Sequence, residues 1–487
     1  MRRVPRLFTS LVSCSGAVAL ALASVGAPGQ QGPEPTAAGA VEMPDTPAGK
    51  IFAHWLAAFN GADRAGLEAI RGAFAPGAVA PPADAALALR ERSGGFEVRK
   101  IEESNERRLV VLMQARGEGN FVRTSVELDP EGRILSMPLR VTERPPEFAI
   151  ARLGDPALAA ELGHQLEAME REGTFSGAVL VLQDGQPVFN RAYGFADRER
   201  QRTNRTDGKF RIGSMGKMFT STAVVQLIQA GKIKLSDPLS KFLPDYPNAE
   251  VANVTIEQLL THTGGTGDIF TPEFFERAST IDTLADYIAL FGDRAPAFVP
   301  GSRYQYSNYG YVLLGRVIEV ASGESYYDYL QRHLFDLAGM TSTGFWRESQ
   351  PLEGRVVGYE PGPNGLTITE GTRTDRASPA GGAISSLEDL ARFARALLDH
   401  KLLDAKHTDL LFTGRVEMGP NMKYALGFGD TAQGTPLHWV GHNGAAPGQN
   451  GVLQIYPEAG YTLVVLSNFG PPTAQRVADF IGARLGG

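Results

Sequence analysis

The 487-residue sequence predicts a large α/β domain preceded by a smaller α+β domain. A chain of this length exceeds what one hydrophobic core usually holds, which favours two domains. In residues 157–487, strand hairpins are predicted at both ends, with helical patterns between them. This order predicts one sheet that is built from both ends of the region and flanked by helices. Residues 46–142 show two helical patterns followed by four β-rich runs.

The composition is that of an ordinary globular protein, with 43% hydrophobic and 21% charged residues. The net charge is −7, and an acidic chain is poorly suited to binding nucleic acid. We therefore do not expect nucleic acid as a partner. No pattern in the sequence predicts the oligomeric state.

The first 23 residues predict an export signal. Three arginines within the first six residues give a positive start, residues 11–23 are mostly apolar, and Ala21-Leu22-Ala23 provides a small-residue cleavage site. Residues 24–45 are rich in Ala, Gly, Pro and Gln and predict a flexible linker. We expect a periplasmic or secreted protein.

The single cysteine, Cys14, lies inside this export segment. Leu11-Val12-Ser13-Cys14 resembles a bacterial lipobox, and in that alternative an acylated Cys14 anchors the protein to a membrane. If the segment is instead removed, the remaining chain has no cysteine, and therefore no disulfide.

The small domain begins with helical patterns around Trp55 and Leu67, and its β-rich runs cover residues 96–101, 107–115, 121–128 and 134–141. The run from residue 52 to residue 61 resembles the first helix of the nuclear-transport-factor-like (SnoaL-like) cone fold. That resemblance implies an α+β cone over residues 46–142. Such cones often hold a pocket, although nothing in the sequence marks one, and His54 and Trp55 are interpreted as core or rim residues. The prolines of residues 143–156 predict a linker to the large domain.

The segment Ser214-Met215-Gly216-Lys217 begins a long helical pattern in the large domain. Residues three apart share a helix face, so Lys217 is expected beside Ser214. A serine hydroxyl becomes a nucleophile when a neighbouring base takes its proton, and a partly buried amine can be neutral enough to do so. The alternative interpretation is a capping serine followed by a solvated lysine.

Three further stretches accompany this motif: Thr261-His262-Thr263, Tyr306-Ser307-Asn308 and His442-Asn443-Gly444-Ala445. Together the four stretches resemble the class C β-lactamase and penicillin-binding-protein-like superfamily of serine hydrolases, over about residues 176–468. The resemblance implies an antiparallel sheet flanked by helices, together with an all-helical subdomain.

The resemblance also implies roles for individual residues. Ser214 is the expected acylated nucleophile and Lys217 its partner, with Tyr306 against both. Whether Lys217 or Tyr306 is the acylation base stays open. Asn308 is expected to hold Lys217 and a substrate amide. The expected oxyanion hole consists of the backbone N–H groups of Ser214 and Ala445.

His442-Asn443-Gly444 stands where β-lactamases have Lys-Thr-Gly. A permanent charge is thus replaced by an imidazole, so anchoring of a substrate carboxylate is expected to depend on protonation of His442 near pH 6.5. Peptidase and esterase relatives commonly have His there, which implies an esterase or peptidase rather than a true β-lactamase. In the family, Thr261-His262-Thr263 braces a loop.

Gly381-Gly382 precedes a helix that begins with Ser386 and Asp389 in a capping pattern. Two interpretations of the glycine pair stay open. It lies at the rim of the cleft, as in relatives, or it forms a loop that needs unusual backbone angles.

The sequence therefore predicts an exported serine hydrolase that forms an acyl-enzyme on Ser214 with an ester, an amide or a D-amino-acid peptide. The alternative is a catalytically idle receptor or cell-wall-binding protein with the same fold. A binding protein has no need of a nucleophile beside its base, so the joint presence of Ser214, Lys217, Tyr306 and Asn308 argues against idleness. No metal is predicted, and no nucleotide cofactor is predicted because no Walker A motif or dinucleotide fingerprint occurs.

Overall fold

The computed structural model describes residues 41–116, 119–362, 365–369, 374–419 and 421–487. The predicted export signal, Cys14 and most of the predicted linker at residues 24–45 lie outside these ranges. The described chain divides into two units, one being Asp155–Ala478 and the other residues 41–154 together with Asp479–Gly487. Each unit has its own hydrophobic core.

The N-terminal unit packs helices on an antiparallel sheet. Its helices are α1 (Pro47–Asn60), α2 (Arg64–Gly72) and α3 (Ala83–Ser93), and its strands are β1 (Phe96–Ser104), β2 (Arg108–Ala115), β3 (Phe121–Leu128), β4 (Ile134–Ser136) and β5 (Leu139–Thr142). The strand order is β1-β2-β3-β4, and β5 also pairs with β3. This α+β arrangement was predicted; the resemblance to the SnoaL-like cone stays a prediction.

The core of this unit is aromatic. The ring centroids of Trp55 and Phe59 on α1 are 5.0 Å apart, and Phe59 lies 5.0 Å from Phe96 on β1. Beside Trp55 and Phe59 lies a cavity of about 170 Å³, lined mainly by apolar side chains, which no feature of the sequence had marked. His54 is exposed on the opposite face of α1.

Two details of the N-terminal unit differ from the prediction. Helix α3 was not predicted, because its leucines at positions 87 and 89 are two apart and hide the helical period. The last β-rich run forms two strands, β4 and β5, rather than one. Pro138 lies between them and has no N–H to donate to a neighbouring strand, so the ladder is interrupted there.

The larger unit is a mixed α/β structure. Its strands are β6 (Gly177–Gln183), β7 (Gln186–Tyr193), β8 (Phe195–Asp197), β9 (Arg202–Thr203), β10 (Phe210–Arg211), β11 (Tyr359–Gly362), β12 (Gly365–Ile368), β13 (Ile384–Ser385), β14 (Val416–Gly419), β15 (Met422–Tyr424), β16 (Gly429–Thr431), β17 (Trp439–Ala446), β18 (Gln449–Tyr456) and β19 (Tyr461–Ser467). Its helices are α4 (Asp155–Arg171), α5 (Gly216–Gln229), α6 (Ala249–Ala252), α7 (Ile256–Leu260), α8 (Pro272–Arg277), α9 (Leu284–Phe291), α10 (Asn308–Ser322), α11 (Tyr326–Leu330), α12 (Asp336–Ala338), α13 (Leu387–Leu398), α14 (Ala405–Phe412) and α15 (Thr473–Gly482), the last of which runs on into the residues grouped with the N-terminal unit.

The main sheet is antiparallel, in the order β14-β15-β16-β17-β18-β19-β6-β7. The pairing of β19 with β6 joins distant parts of the sequence, which confirms the prediction of one sheet built from both ends of the region. Every residue of β18 and β19 is buried, as expected for strands covered on both faces. Helix α13, which packs against β6 and β19, begins where the Ser386 hydroxyl accepts the Asp389 backbone N–H.

Helix α5 runs through the core, and its residues from Gly216 to Val225 are all buried. It packs against α10, which in turn contacts α7 and α9. These helices form the helical part that the family resemblance implied. The turn before α5 and the residues before α10 therefore meet at one place. None of the helices in the described residues is long and apolar enough to cross a membrane.

Candidate active site

Ser214 lies in a single 3₁₀ turn, Gly213–Met215, that leads directly into α5. One turn further on, the Lys217 Nζ atom lies 3.4 Å from the Ser214 Oγ atom. Ser214 is partly exposed, whereas Lys217 is completely buried. Ser214 thus lies at the boundary between solvent and the buried amine.

The Lys217 amine is held by two acceptors. Its Nζ atom donates to Asn308 Oδ1 at 2.7 Å and to the Ala380 carbonyl. Burial lowers the pKa of Lys217 from 10.5 to about 7, and the Asp268 carboxylate opposes this fall. Near neutral pH a large fraction of Lys217 is therefore the free amine, which can accept a proton.

Asn308 is the first residue of α10, and Tyr306 lies two residues before it. Between them, the N-cap residue Ser307 accepts the Gly310 backbone N–H. The Lys217 Nζ atom lies 4.6 Å from the centre of the Tyr306 ring. The Tyr306 hydroxyl is buried and makes no hydrogen bond of regular geometry. Burial raises the pKa of Tyr306 well above its ordinary value, although the nearby Ser214 hydroxyl opposes the rise. Tyr306 is therefore a neutral phenol at neutral pH.

Asp268 is a site residue that the sequence analysis missed. Asn308 Nδ2 donates to both oxygens of the Asp268 carboxylate, at 3.1 Å each. Burial raises the pKa of Asp268, against the effect of these hydrogen bonds. Asp268 lies in a glycine-rich loop after the Thr261-His262-Thr263 stretch, and a lone aspartate in such a loop offers no sequence signal.

His442 lies in β17 as part of a buried hydrogen-bonded chain. The Ser307 backbone N–H donates to His262 Nδ1 at 3.0 Å, and His262 Nε2 lies 3.1 Å from the Tyr424 hydroxyl. The same hydroxyl lies 3.2 Å from His442 Nε2, and His442 Nδ1 contacts the Asn443 carbonyl.

The direction of this chain follows from its two ends. The Ser307 N–H can only donate, so a neutral His262 carries its proton on Nε2 and donates to Tyr424. The Asn443 carbonyl can only accept, so a neutral His442 carries its proton on Nδ1 and accepts the Tyr424 hydroxyl at Nε2. Each bond then has one donor and one acceptor while both imidazoles are neutral.

The expectation that His442 titrates near pH 6.5 is wrong. Burial, with the nearby Lys217 amine, lowers the pKa of His442 to about 4. Burial also lowers the pKa of His262 well below its ordinary value. His442 is therefore neutral near pH 7, and both its ring nitrogens are already engaged. The pKa of His442 is set by its burial in the folded chain, which a sequence motif alone does not reveal.

The third element lies directly against the turn that carries Ser214. A Cβ atom at Gly213, where φ is +50°, would lie 2.6 Å from the Ala445 nitrogen, and one at Gly444 would lie 1.9 Å from the Ile212 carbonyl oxygen. Glycine at positions 213 and 444 thus lets the two backbones touch. This contact brings Ala445, the expected second donor of the oxyanion hole, beside the residue that precedes Ser214.

Gly381 and Gly382 also contact this turn. Both have positive φ, +149° and +92°, and a Cβ at Gly381 would lie 2.6 Å from the Gly213 carbonyl oxygen and 3.1 Å from the Ser214 Cα atom. The Gly382 N–H donates to the Gly213 carbonyl at 3.0 Å. The pair therefore has the unusual backbone angles of one interpretation, and it packs directly on the turn that carries Ser214. Among the described residues, no group of three or more His, Cys, Asp or Glu side chains is arranged to hold a metal ion.

Comparison with known proteins matches residues 165–487 to the family model described as Beta-lactamase. The Bacillus subtilis (strain 168) protein PbpX, which is named for penicillin binding, is 32% identical over 304 residues, which cover 61% of this chain and 71% of PbpX. The solved penicillin-binding protein of Bacillus halodurans superimposes with a TM-score of 0.59 at 29% identity, over 65% of this chain and 97% of that one. A D-stereospecific amidohydrolase from Streptomyces sp. superimposes with a TM-score of 0.56 at 27% identity, over 66% of this chain and 97% of that one.

Proposed function

Because this chain belongs to the β-lactamase and penicillin-binding-protein superfamily of serine hydrolases, we propose that it forms an acyl-enzyme on Ser214 with an ester, an amide or a D-amino-acid peptide. One observation carries the proposal: a fully buried lysine amine with a pKa of about 7 lies 3.4 Å from the hydroxyl of the partly exposed Ser214. A serine nucleophile needs a base close to hydrogen-bond reach, and this distance is often somewhat long in a site without substrate.

Of the two candidate bases, Lys217 is the better suited to take a proton. Its pKa lies near neutrality, whereas burial raises the pKa of Tyr306 well above its ordinary value. Lys217 Nζ therefore takes the Ser214 proton as Oγ bonds to the substrate carbonyl carbon. The backbone N–H groups of Ser214 and Ala445 are the proposed donors to the oxygen that becomes negative.

Tyr306 is better suited to passing a proton than to removing one. As a neutral phenol it donates its hydroxyl proton to the leaving oxygen or nitrogen, while the Lys217 ammonium returns a proton to the phenolate. The carbon–leaving-group bond breaks, and the leaving group departs with one proton. In deacylation a water attacks the acyl carbon, Lys217 takes the water's proton, and Ser214 Oγ leaves with a proton returned through Tyr306.

The neutral state of His442 bears on the substrate class. Its pKa of about 4 leaves no positive charge where β-lactamases have the lysine of Lys-Thr-Gly. We therefore expect neutral esters and amides to be better substrates than β-lactams, whose carboxylate finds no fixed cation from this element. The similarity to a D-stereospecific amidohydrolase supports inclusion of D-amino-acid amides and peptides among the substrates to be tested.

The chemistry is tested with a fluorophosphonate probe and intact-protein mass spectrometry. We expect one adduct on the wild type, none on Ser214→Ala, and wild-type labelling of Ser302→Ala, which removes an exposed serine near the Tyr306 segment. Labelling of Ser214→Ala at the wild-type rate would remove Ser214 from this role. A folded wild type that is not labelled would favour the idle receptor.

The substrate class is tested by steady-state turnover of a short-chain p-nitrophenyl ester, a D-alanyl-D-alanine peptide and nitrocefin. We expect the ester to be turned over faster than nitrocefin. The reverse order would contradict the argument from the neutral His442.

Localisation remains a proposal too: the N-terminal signal predicts export to the periplasm or beyond, and peptide sequencing of the mature N-terminus tests it.

A further inference from the structure

We infer that Asp268 is a positioning residue of the active site, which acts through Asn308 to orient the Lys217 amine and to stabilise its protonated form after it has taken the Ser214 proton. This inference rests on the proposed function, because it concerns the same proton transfer. The observation that supports it is a continuous series of contacts from the Asp268 carboxylate through Asn308 and Lys217 to Ser214.

The contacts run in one direction. Asn308 Nδ2 donates to both carboxylate oxygens of Asp268 at 3.1 Å. The other end of the same amide, Oδ1, is thereby turned to Lys217 and accepts the Nζ proton at 2.7 Å. An asparagine amide can point either way, and an acceptor on the Nδ2 side favours the orientation that turns Oδ1 to Lys217. Asp268 thus helps to fix which end of Asn308 faces the amine.

Asp268 is itself held firmly. Its carboxylate accepts the Ile269 backbone N–H at 2.6 Å, and its backbone carbonyl accepts a hydrogen bond from Arg294 at 3.1 Å. The Arg294 side chain forms its ion pair with Glu273. The negative charge of Asp268 favours the protonated form of the buried Lys217 amine.

The other titratable groups around Lys217 do not supply this charge. Tyr306 and Tyr311 lie with their ring centres 4.6 Å and 5.3 Å from Nζ, and burial raises the pKa of both phenols, so they are uncharged. His262 and His442 are neutral because burial lowers the pKa of both. Asp268 is the group left to balance a positive Lys217 as the serine proton arrives.

In this arrangement a carboxylate orients a base, and the base in turn activates a nucleophile. Here an amide stands between the carboxylate and the base, so charge acts through one additional hydrogen bond. Removing the Asp268 charge is expected to have two separable consequences: the acidic limb of the acylation rate moves to lower pH, and the plateau rate falls because the amine is a weaker and less well oriented base.

The experiment measures the second-order rate of fluorophosphonate labelling from pH 5 to pH 10 in the full chain. For Asp268→Asn, which keeps the shape and loses the charge, we expect the limb to move down by about one pH unit with a plateau loss of about tenfold. For Asp268→Ala, which also leaves Asn308 Nδ2 without its acceptor, we expect a further plateau loss. Glu276→Gln removes one exposed charge on nearby α8 and should keep the wild-type profile.

The outcomes separate the two proposals. If the wild type is labelled and both Asp268 variants keep its limb, the inference about Asp268 is overturned, even if their plateau falls, because a merely structural role lowers the rate without moving the limb. If the wild type is not labelled at all, the proposed function fails. Near-ultraviolet circular dichroism identifies a misfolded variant, and the other Asp268 variant then decides the question.

Discussion

Replacement of Lys217 by methionine tests whether the candidate base is held largely neutral by burial. Methionine has a similar length without the charge, so the variant removes the cost of burying the amine. The fall in the pKa of Lys217 from 10.5 to about 7 corresponds to about 5 kcal/mol at about 1.4 kcal/mol per pH unit. Against this, the acceptors Asn308 Oδ1 and the Ala380 carbonyl lose their donor, at a cost of roughly 1–2 kcal/mol each. We expect Lys217→Met to be labelled far more slowly than the wild type and to be about 1–3 kcal/mol more stable at pH 7.

The pH dependence gives the sharper test. Because the folded pKa lies below the unfolded one, the unfolded chain binds more protons between pH 7 and pH 10.5, and wild-type stability rises with pH in that window. The advantage of the variant should therefore shrink by about 3 kcal/mol between pH 7 and pH 9.5, and its sign should reverse.

The assay is urea unfolding of the full chain at several pH values, with the fluorophosphonate rate as the measure of activity. We expect the labelling rate to fall by about 10²- to 10⁴-fold. Lys232→Met, which replaces an exposed lysine just after α5, serves as the control and should be labelled at the wild-type rate. A stability difference between Lys217→Met and the wild type that stays constant from pH 7 to pH 9.5 would refute a neutral buried amine.

Two further predictions concern the backbone at the site and the partly buried His438. Gly213→Ala should lower the free energy of unfolding by about 1–3 kcal/mol and slow labelling at least tenfold, because the new Cβ meets the Ala445 backbone at positive φ. Gly231→Ala, also at positive φ but with open space around it, should be labelled at the normal rate. Equal labelling of both variants would contradict the close contact as the cause. The hydrogen bond to Asp430 raises the pKa of His438, so its stabilising contribution is complete below pH 6.5 and is lost as the pH rises through the raised value. His438→Gln should therefore lower the unfolding midpoint more at pH 5.5 than at pH 9, and an equal loss at both would refute the ion pair.

The parts of the site that the sequence revealed are those encoded by short spacing. Ser214 and Lys217 are one helical turn apart, and Tyr306 and Asn308 flank the N-cap of α10, so a linear pattern suffices to find each pair. The structure brings both pairs together at Lys217 Nζ. Their catalytic roles stay predictions until the labelling experiments are made.

The parts that escaped depend on burial and on contacts between distant segments. Asp268 and Tyr424 belong to no motif and reach the site through the loop after α7 and through β15. The wrong expectation for the titration of His442 has the same origin, because the exposure of an imidazole is set by the whole fold. The missed helix α3 is different: its leucine spacing hides the helical period even from a local pattern.

The pairing of β6 with β19 has a consequence for biogenesis. The Ser467 hydroxyl donates to the Ser176 carbonyl across 291 positions of sequence, so the β6–β7 hairpin leaves the ribosome long before its neighbour exists. Until then the edge of β6 carries unpaired backbone groups on a highly apolar strand, a hazard for aggregation. Contacts of such separation also slow folding. If the proposed export holds, slow folding favours it, because the nascent chain stays unfolded for longer before translocation.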